Sequence, residues 1–176
     1  MKSMSLCGQK MNLRALEPED LEFLFEIENN EIFWEVSHTQ APFSKYVLKQ
    51  YLENAQLDIF EAKQLRLLIE DKKTKKQMGM IDLFDFNPQH RRAGIGILVH
   101  PKFQEKGVAS EALEMIVKYA FSKLNLHQLY ANITIGNLQS ISLFKKNKFV
   151  KVGEKKDWIF SEGKFKNELL FQLINE

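Results

Sequence analysis

The sequence predicts a single domain of mixed α/β class. Its 176 residues are the size of one domain, and no internal repeat, linker or low-complexity tract divides them. The apolar fraction of 44% and the charged fraction of 27% are typical of soluble globular proteins. Segments in which apolar residues alternate, as in strands, lie between segments in which apolar residues recur at helical spacing.

The first half of the chain predicts one strand, two helices and a hairpin. Pro18 suits the first turn of a helix, whose buried face is then formed by Leu21, Leu24 and Phe25. Ser44 has a side chain that caps the N-terminus of a second helix. A lysine-rich segment between the second and third strands is typical of a solvated hairpin turn. The predicted strands cover 12–16, 65–71 and 77–86, and the predicted helices cover 18–29 and 45–54.

The second half predicts a strand–helix–strand unit, a short helix and a closing hairpin. The strands 91–99 and 129–135 are separated by a long helix, which predicts that they are parallel with a right-handed crossover. The remaining strands are expected to pair antiparallel. The further predicted elements are strands over 149–160 and 164–174 and helices over 107–124 and 140–146. We therefore expect a central, mixed and mostly antiparallel sheet flanked by helices.

Cysteine, histidine and hydropathy patterns narrow the class of protein. The single cysteine, Cys7, excludes a disulfide framework and favours a reducing compartment. The four histidines are scattered, so we expect no metal. No apolar run approaches the ~20 residues of a membrane helix, and residues 1–10 lack the apolar core of a signal peptide. We expect a loosely ordered leader over 1–10, one domain over 11–176, a cytoplasmic location and no membrane partner.

Several common enzyme motifs are absent from the sequence. Gly94-Ile-Gly96 lies within a predicted strand, and Val99 occupies the place of the third glycine of a dinucleotide-binding loop. The P-loop pattern G-x-x-x-x-G-K-[ST] and the nucleophile elbow G-x-S-x-G do not occur. A net charge of only +2 and the lack of a recognised module argue against a nucleic-acid partner.

Acidic residues are concentrated in one early segment. Residues 17–35 contain eight Asp and Glu residues and neither Lys nor Arg. Glu31 and Glu35 follow the predicted helix and enclose the aromatic pair Phe33 and Trp34, whose rings suit an alkyl chain or an ammonium group. We predict that these four residues bind a cationic substrate, whose approach the acidic segment would favour.

A strand, a polar loop and a long helix meet at residues 99–110. The free backbone N–H groups at the start of a helix form an anion site that the helix dipole reinforces. Gly107 allows the backbone to approach a ligand closely, and Ala109 leaves the first turn uncrowded. This segment predicts a phosphate site.

Two motifs of the second half occur in the order and spacing of a known enzyme family. The run Gln104-Glu-Lys-Gly-Val-Ala109 fits the pattern Q/R-x-x-G-x-G/A, and residues 137–149 fit N-x-x-A/S-x-x-L-Y-x-x-x-G-F at most positions. On these motifs the chain resembles the GCN5-related N-acetyltransferases (GNAT) over about residues 11–174. Within that superfamily it is most similar to spermidine and other diamine acetyltransferases, and next to ribosomal-protein acetyltransferases.

The chain departs from the family's pattern at three positions. Phe144 replaces the frequent Tyr that is thought to protonate the departing thiolate, and Lys148 replaces the Gly before the final Phe. Gly94 stands where many relatives have a catalytic or amine-binding Glu. A thiol has a pKa near 8.5, so its thiolate can leave without an acid near neutrality.

The resemblance implies a GNAT-like fold and acetyl-CoA as co-substrate, bound where two parallel strands diverge. As catalytic residues it implies Leu98, whose backbone N–H would polarise the thioester carbonyl, and Phe144, beside the thioester sulfur. For the base that removes the proton of the attacking amine, the sequence offers several candidates that could act through water. They are Asp82 and Asp85, in a predicted strand expected to face the cleft, and Glu31, Glu35 and His38, from the acidic segment and the loop after it. The residues that it implies in acetyl-CoA binding are Ile97, Leu98, Val99, Gln104, Glu105, Lys106, Gly107, Val108, Ala109, Ser110, Asn137, Ser140, Phe144 and Lys145.

We expect from this an enzyme that transfers an acetyl group to the primary amine of a small cationic molecule such as a polyamine. Two alternatives stay open, namely acetylation of a protein N-terminus and a catalytically weakened module that binds acyl-CoA and regulates. Relatives often form dimers, so a homo-oligomer is compatible with the resemblance.

Overall fold

The computed structural model describes residues 6–176, which form a seven-stranded sheet with helices on both faces. The sheet has the order β1-β2-β3-β4-β5-β7-β6, and β4 and β5 are its parallel pair. The strands are β1 (Met11–Ala15), β2 (Leu65–Asp71), β3 (Gln77–Asn87), β4 (Arg92–Val99), β5 (Gln128–Thr134), β6 (Val150–Ser161) and β7 (Lys164–Ile174). The helices are α1 (Leu21–Glu28), α2 (Trp34–Ser37), α3 (Lys45–Glu53), α4 (Ile59–Ala62), α5 (Val108–Ser122) and α6 (Leu138–Lys146).

This architecture confirms the predicted mixed α/β class and the parallel strand–helix–strand unit. Every predicted strand and long helix is present in the predicted order. The two four-residue helices, α2 and α4, were not predicted, and neither were three short 3-10 turns. Among the described residues, no helix is long and apolar enough to cross a membrane.

The predicted leader lies partly outside the described residues, which begin at Leu6. The part that is described contacts the body of the domain. The backbone N–H groups of Gln9 and Lys10 donate to the carboxylate of Glu111 on α5, at 3.1 and 3.2 Å. Leu6 packs against the main core, and its carbonyl accepts a hydrogen bond from Leu13 at 2.9 Å.

The strands β4 and β5 pair only at their beginnings. Their register covers three pairs, from Arg92 opposite Gln128 to Gly94 opposite Tyr130. Beyond Gly94 each strand continues, β4 to Val99 and β5 to Thr134, without a partner between them. The sheet therefore opens into a wedge in its middle. On the other side β4 pairs with β3 and β5 pairs with β7, so both walls of the wedge are held in place.

Each face of the sheet is covered by its own layer of helices. On one face α5 and α6 bury a large core that includes Leu113, Ile116 and Phe144. On the other face α1 and α3 enclose a smaller cluster that includes Leu48 and Leu68. Burial of this apolar surface is the main stabilising contribution to the fold.

The buried face of α1 differs from the predicted one. Phe23, Leu24 and Ile27 are buried, whereas Leu21 and Phe25 are only half-buried. Leu21 and Phe25 lie at the edge of the cluster, where the Lys45 ammonium group of α3 stands 5.2 Å from the centroid of the Phe25 ring. Leu24 alone of the three predicted residues is fully buried, so the prediction of this face was wrong in phase.

A buried ion pair fixes the start of α1 to the first strand. Asp20 is 1% exposed and accepts two hydrogen bonds from the Arg14 guanidinium group, at 2.8 and 2.9 Å. Its carboxylate also accepts from Gln77 and from the backbone N–H of Glu17. Burial raises the pKa of Asp20, but the hydrogen bonds from Arg14 and its other donors outweigh that effect, so the pKa is lowered.

The outer edge of the sheet is formed by the long strand β6. Its pairing with β7 shifts register twice, between Lys151 and Gly153 and between Lys155 and Ile159. Between Lys155 and Ile159, Asp157 adopts a left-handed conformation with φ of 47°.

Candidate active site

A cleft of about 1490 Å³ lies over the wedge between β4 and β5. Its walls are the segment around α2, the end of β4, the beginning of α6 and the hairpin of β6 and β7. Residues that were predicted for the acetyl-CoA and substrate sites line this cleft, and they come from both halves of the sequence. They are Glu31, Phe33, Trp34, Glu35, Ile97, Leu98, Val99, Gln104, Ala109, Asn137 and Ser140.

The backbone of β4 directs alternate N–H groups into the wedge. The N–H of His100 donates to the carbonyl of Met78 on β3, and hydrogen-bonded pairs of an antiparallel ladder alternate along the strand. The N–H of Leu98 therefore points to β3, whereas those of Ile97 and Val99 point into the wedge. If a donor of this strand polarises the thioester carbonyl, it is therefore one of these two residues and not Leu98, which lines the cleft and packs against the smaller core cluster.

The loop before α5 has the conformation that a phosphate site requires. Gly107 is the N-cap of α5 and has φ of 79°, in the left-handed region that favours glycine. Apart from its two neighbours in the chain, no atom of the described residues 6–176 lies within 4 Å of the place where a Cβ would stand, so the backbone is open to a ligand. Gln104 anchors the loop by donating from its amide to the Val99 carbonyl at 2.9 Å. These features fit a pyrophosphate at the start of the helix.

The other predicted residues of this loop differ in their surroundings. Glu105 and Lys106 are exposed, and Ser110 accepts a hydrogen bond from the Asn147 amide at 3.4 Å. Val108 is buried in the core, so only its backbone is available to a ligand. Lys145 is exposed in the last turn of α6 and does not line the cleft.

The second motif forms α6 and closes the core side of the wedge. The Asn137 side chain caps α6 by accepting from the N–H of Ser140 at 3.1 Å. Phe144 is 3% exposed and packs edge-on against Phe149, with 4.9 Å between ring centroids. Lys148 has φ of 68°, so the position where the family has Gly is left-handed in this chain as well.

Asp82 does not line the cleft, contrary to its predicted position. Its carboxylate accepts from the Arg66 guanidinium group at 2.7 and 3.2 Å, and Arg66 also donates to Glu28 at 2.8 Å. Arg66 stacks on the Tyr51 ring, 5.5 Å from its centroid. Burial raises the pKa of Glu28. Arg66, Glu28 and Asp82 thus form an ion-pair network under α1 and α3, and the carboxylate of Asp82 is engaged there.

Gly94 has a steric reason to lack a side chain. A Cβ at this position would stand 2.3 Å from the ring of Phe84 on the neighbouring strand. Phe84 packs edge-on against Tyr130 of β5, with centroids 5.9 Å apart. An aromatic pair therefore covers the place where many relatives have a Glu.

The segment around α2 forms the wall opposite the diverging strands. Phe33 is buried, and the indole N–H of Trp34 donates to the carbonyl of Glu28 at 3.0 Å. Glu35 accepts a hydrogen bond from the Lys166 ammonium group of β7 at 2.6 Å, which lowers the pKa of Glu35 and raises that of Lys166. Glu31 is exposed and lines the cleft, to which it adds one negative charge.

The hairpin of β6 and β7 contributes a wall that sequence reasoning missed. Its aromatic residues Trp158, Phe160 and Phe165 line the cleft and are exposed by 59%, 65% and 62%. The charged residues that line the cleft are Lys164, Lys166, Glu31, Glu35 and Glu162. Two positive and three negative groups give the lining a net charge of −1. An aromatic and basic tract at residues 155–166 was the available signal, but only the fold brings it to the wedge.

Comparison with known proteins places this geometry in a family. The family model described as an acetyltransferase (GNAT) domain matches residues 10–150. The spermidine N(1)-acetyltransferase of Vibrio cholerae is 28% identical over 163 residues, which cover 91% of this chain and 90% of that protein. The corresponding Escherichia coli K12 enzyme is 29% identical over 165 residues, which cover 92% and 84%.

A solved structure shows the same fold. The crystal structure of spermidine N-acetyltransferase from Vibrio cholerae in complex with CoA and spermine superposes with a TM-score of 0.86 at 26% identity. The superposition covers 95% of this chain and 96% of that one. Since the family model matches well over half of its residues, the chain belongs to the GNAT family: it is an N-acetyltransferase, and acetyl-CoA is its co-substrate.

Proposed function

We propose that this enzyme acetylates a primary amine of a small cationic molecule of the polyamine class. The observation that carries the proposal is the wall around α2, where Glu31 and Trp34 line the cleft, while Phe33 packs into the core behind them. Aromatic faces bind alkylammonium chains, and an exposed carboxylate attracts their charge. The spermidine N-acetyltransferases that resemble this chain over most of its length support the same substrate class.

On the donor side, the chain would hold acetyl-CoA along the wedge. The loop at Gly107 would bind the pyrophosphate, and the β4 backbone would pair with the pantetheine arm. The N–H groups of Ile97 and Val99 would donate to the thioester carbonyl and stabilise the negative charge that develops on it, an effect often worth ~3 kcal/mol per donor. Phe144 would pack beside the sulfur and exclude water from it.

On the acceptor side, the amine would enter between the α2 wall and the hairpin of β6 and β7. Glu35 is already paired with Lys166, so Glu31 is the carboxylate that remains to attract a cation. The net charge of the lining is only −1, and so we expect moderate rather than strong electrostatic attraction.

Acetylation of a protein N-terminus is the second candidate, and one observation favours it. Trp158, Phe160 and Phe165 expose large aromatic surfaces along the cleft, which would suit the side chains of a peptide better than a polyamine.

A thiol-release assay with acetyl-CoA separates the two candidates. The acceptors are putrescine, spermidine, spermine and a tripeptide with a free N-terminus. The proposal expects the highest kcat/KM with a polyamine, and at least tenfold lower values with the tripeptide. A preference for the tripeptide would replace the polyamine proposal by N-terminal acetylation.

A further inference from the structure

A small chamber of about 50 Å³ continues the wedge through the sheet. Its lining comes from both faces, from Phe144 on the α6 side to Glu168 on the α2 side. Thr134 and Asn132 of β5 and Gly96 of β4 lie between them. The chamber is large enough for one water molecule, and it offers that water several polar partners. Ile97 and Phe144, to which the proposed function assigns the thioester carbonyl and the sulfur, also line it.

Glu168 is the buried carboxylate of this chamber. It is 3% exposed, and it stands on β7 directly opposite Thr134 of β5. Its carboxylate pairs with the Lys155 ammonium group at 2.5 Å across the strands, and Lys155 also contacts the Asn132 amide oxygen at 3.4 Å. Burying a charged pair in a sheet gives little or no net stability compared with apolar side chains. Rules of fold stability are most often broken at functional sites, which directs attention to the chemistry of this carboxylate.

Glu35, like Glu168, is paired with a lysine, so what distinguishes the titratable groups around the chamber is how rigidly the fold holds them. Glu35 and His38 reach it from the α2 segment, and Lys155 reaches Glu168 from β6. The Glu35 carboxylate is held by Lys166 of β7 and stands on a four-residue helix. His38 is exposed at the end of that helix. Glu168 is the carboxylate that a paired strand holds rigidly beside the diverging strands.

We propose that Glu168 is a catalytic residue that accepts, through one water molecule in the chamber, the proton that the acceptor's ammonium group must lose. The proposal rests on the proposed function only in requiring a primary amine. Such an amine has a pKa of ~10.4, so at neutral pH fewer than about one molecule in a thousand is ready to attack. A positioned base commonly contributes about 10²–10⁴-fold to the rate.

The protons and bonds of the transfer balance as follows. The ammonium group gives one proton through the water to Glu168, and the freed nitrogen lone pair attacks the thioester carbon. A C–N bond forms, and the C–S bond breaks as the tetrahedral adduct collapses. The departing CoA thiolate takes the second proton from the new amide nitrogen, and Glu168 then releases its proton to solvent. The products are the N-acetylated amine, the CoA thiol and one proton.

The test is the pH dependence of kcat/KM from pH 6.5 to 10 in the wild type and in Glu168→Gln, with spermidine and with an N-terminally free tripeptide. We expect Glu168→Gln to lose about 100-fold at pH 7. With spermidine the loss should shrink by about tenfold per pH unit as the free amine forms in solution, and it should disappear near pH 9. With the tripeptide, whose α-amino group has a pKa of ~8, the loss should shrink only up to about that pH. The Kd for CoA, measured by calorimetry, should stay within about twofold, because the variant leaves the pyrophosphate loop unchanged.

Two further variants separate chemistry from folding. Glu114→Gln removes an exposed carboxylate of α5 that lines neither the cleft nor the chamber, and it should keep the wild-type profile. Glu168→Asp keeps the carboxylate, and it should restore the shape of the wild-type profile at a rate between those of the wild type and Glu168→Gln. If Glu168→Gln does not fold, Glu168→Asp decides, since withdrawing the carboxylate by one methylene group must still lower kcat/KM with an unchanged Kd for CoA.

The outcomes are distinct from those that test the substrate class. A loss of equal size at every pH would show that Glu168 is only structural, and it would overturn the inference. Activity with the tripeptide alone would refute the polyamine proposal. The Glu168 inference would then be tested by the pH dependence of kcat/KM measured with that tripeptide. A wild-type enzyme that acetylates neither acceptor would overturn both.

Discussion

Replacing Gly107 by valine tests the assignment of the loop before α5 to the pyrophosphate. The φ angle of 79° is one that L residues rarely adopt, and β-branched residues least of all. The space around the missing Cβ is empty, so the substitution causes no clash within the protein. Its effect on stability therefore comes from the backbone, and its effect on binding comes from the methyl groups that meet the ligand.

Gly163 offers a matched control in the turn between β6 and β7. It has φ of 75°, and no atom lies within 4 Å of its missing Cβ either. We expect Gly107→Val and Gly163→Val each to cost about 2 kcal/mol of stability. In a domain of this size that lowers Tm by about 4–8 °C. Only the first variant obstructs the approach of the pyrophosphate to the helix N-terminus.

The assay is calorimetric titration with CoA, together with thermal unfolding followed by circular dichroism. Gly107→Val should weaken CoA binding at least tenfold, or about 1.4 kcal/mol, and Gly163→Val should leave it unchanged. Equal CoA affinity in both variants would refute the pyrophosphate assignment. A similar loss in both would attribute the effect to destabilisation instead of to the loop.

Four further predictions follow from contacts described above. Phe144→Tyr should raise kcat by up to about 100-fold by adding a proton donor at the thiolate, at a stability cost of about 1–3 kcal/mol for the buried hydroxyl; a lower Tm with an unchanged kcat would contradict it. The KM for spermidine should rise with salt in the wild type and lose most of that dependence in Glu31→Gln; a KM independent of salt would exclude electrostatic attraction. Lys148→Gly should raise Tm by about 2–4 °C because it relieves a left-handed lysine, and no gain would mean that the side chain compensates. Asp20→Asn should cost about 3–5 kcal/mol at pH 7, measured by urea unfolding. Since the fold lowers the pKa of Asp20, its contribution is complete above about pH 4 and is lost as the pH falls through its folded value, so this acid-dependent loss should be absent from the variant.

Part of the expected donor side is brought together at the cleft, because its sequence signals are local. The pattern around Gly107 lies within one loop. The same holds for Asn137, whose side chain caps the helix that it precedes. Residues in both segments line the cleft as expected.

Asp82 shows where such reasoning ends. Its partner Arg66 lies on a neighbouring strand, and the register between β2 and β3 places the two residues directly opposite each other. An isolated carboxylate in a strand pattern gives no sign of that pairing. The same limit applies to Glu168, which meets the wedge only because β7 inserts between β5 and β6 in the sheet order.

The phase of α1 was missed for a different reason. Three residues, Pro18–Asp20, form a 3-10 turn before the helix begins at Leu21. Leu21, Leu24 and Phe25 all lie within α1 itself, so this turn changes where the helix begins but not how the three residues are arranged on it. Burial of Phe23 and Ile27 then depends on packing against the sheet, which the spacing of Leu21 and Phe25 does not contain.

The two register shifts of β6 affect how this sheet meets other polypeptides. A 12-residue outer strand carrying Val150, Val152 and Phe160 would, if straight, be a template for edge-to-edge aggregation. The shifts divide it into short stretches whose free N–H and C=O groups do not form one continuous row. Lysines lie next to the shifts, among them Lys151 and Lys156. A strand that pairs with this edge would have to desolvate their ammonium groups, which makes the pairing less favourable. The hairpin can therefore expose aromatic surface to an acceptor and still resist growth into a fibril.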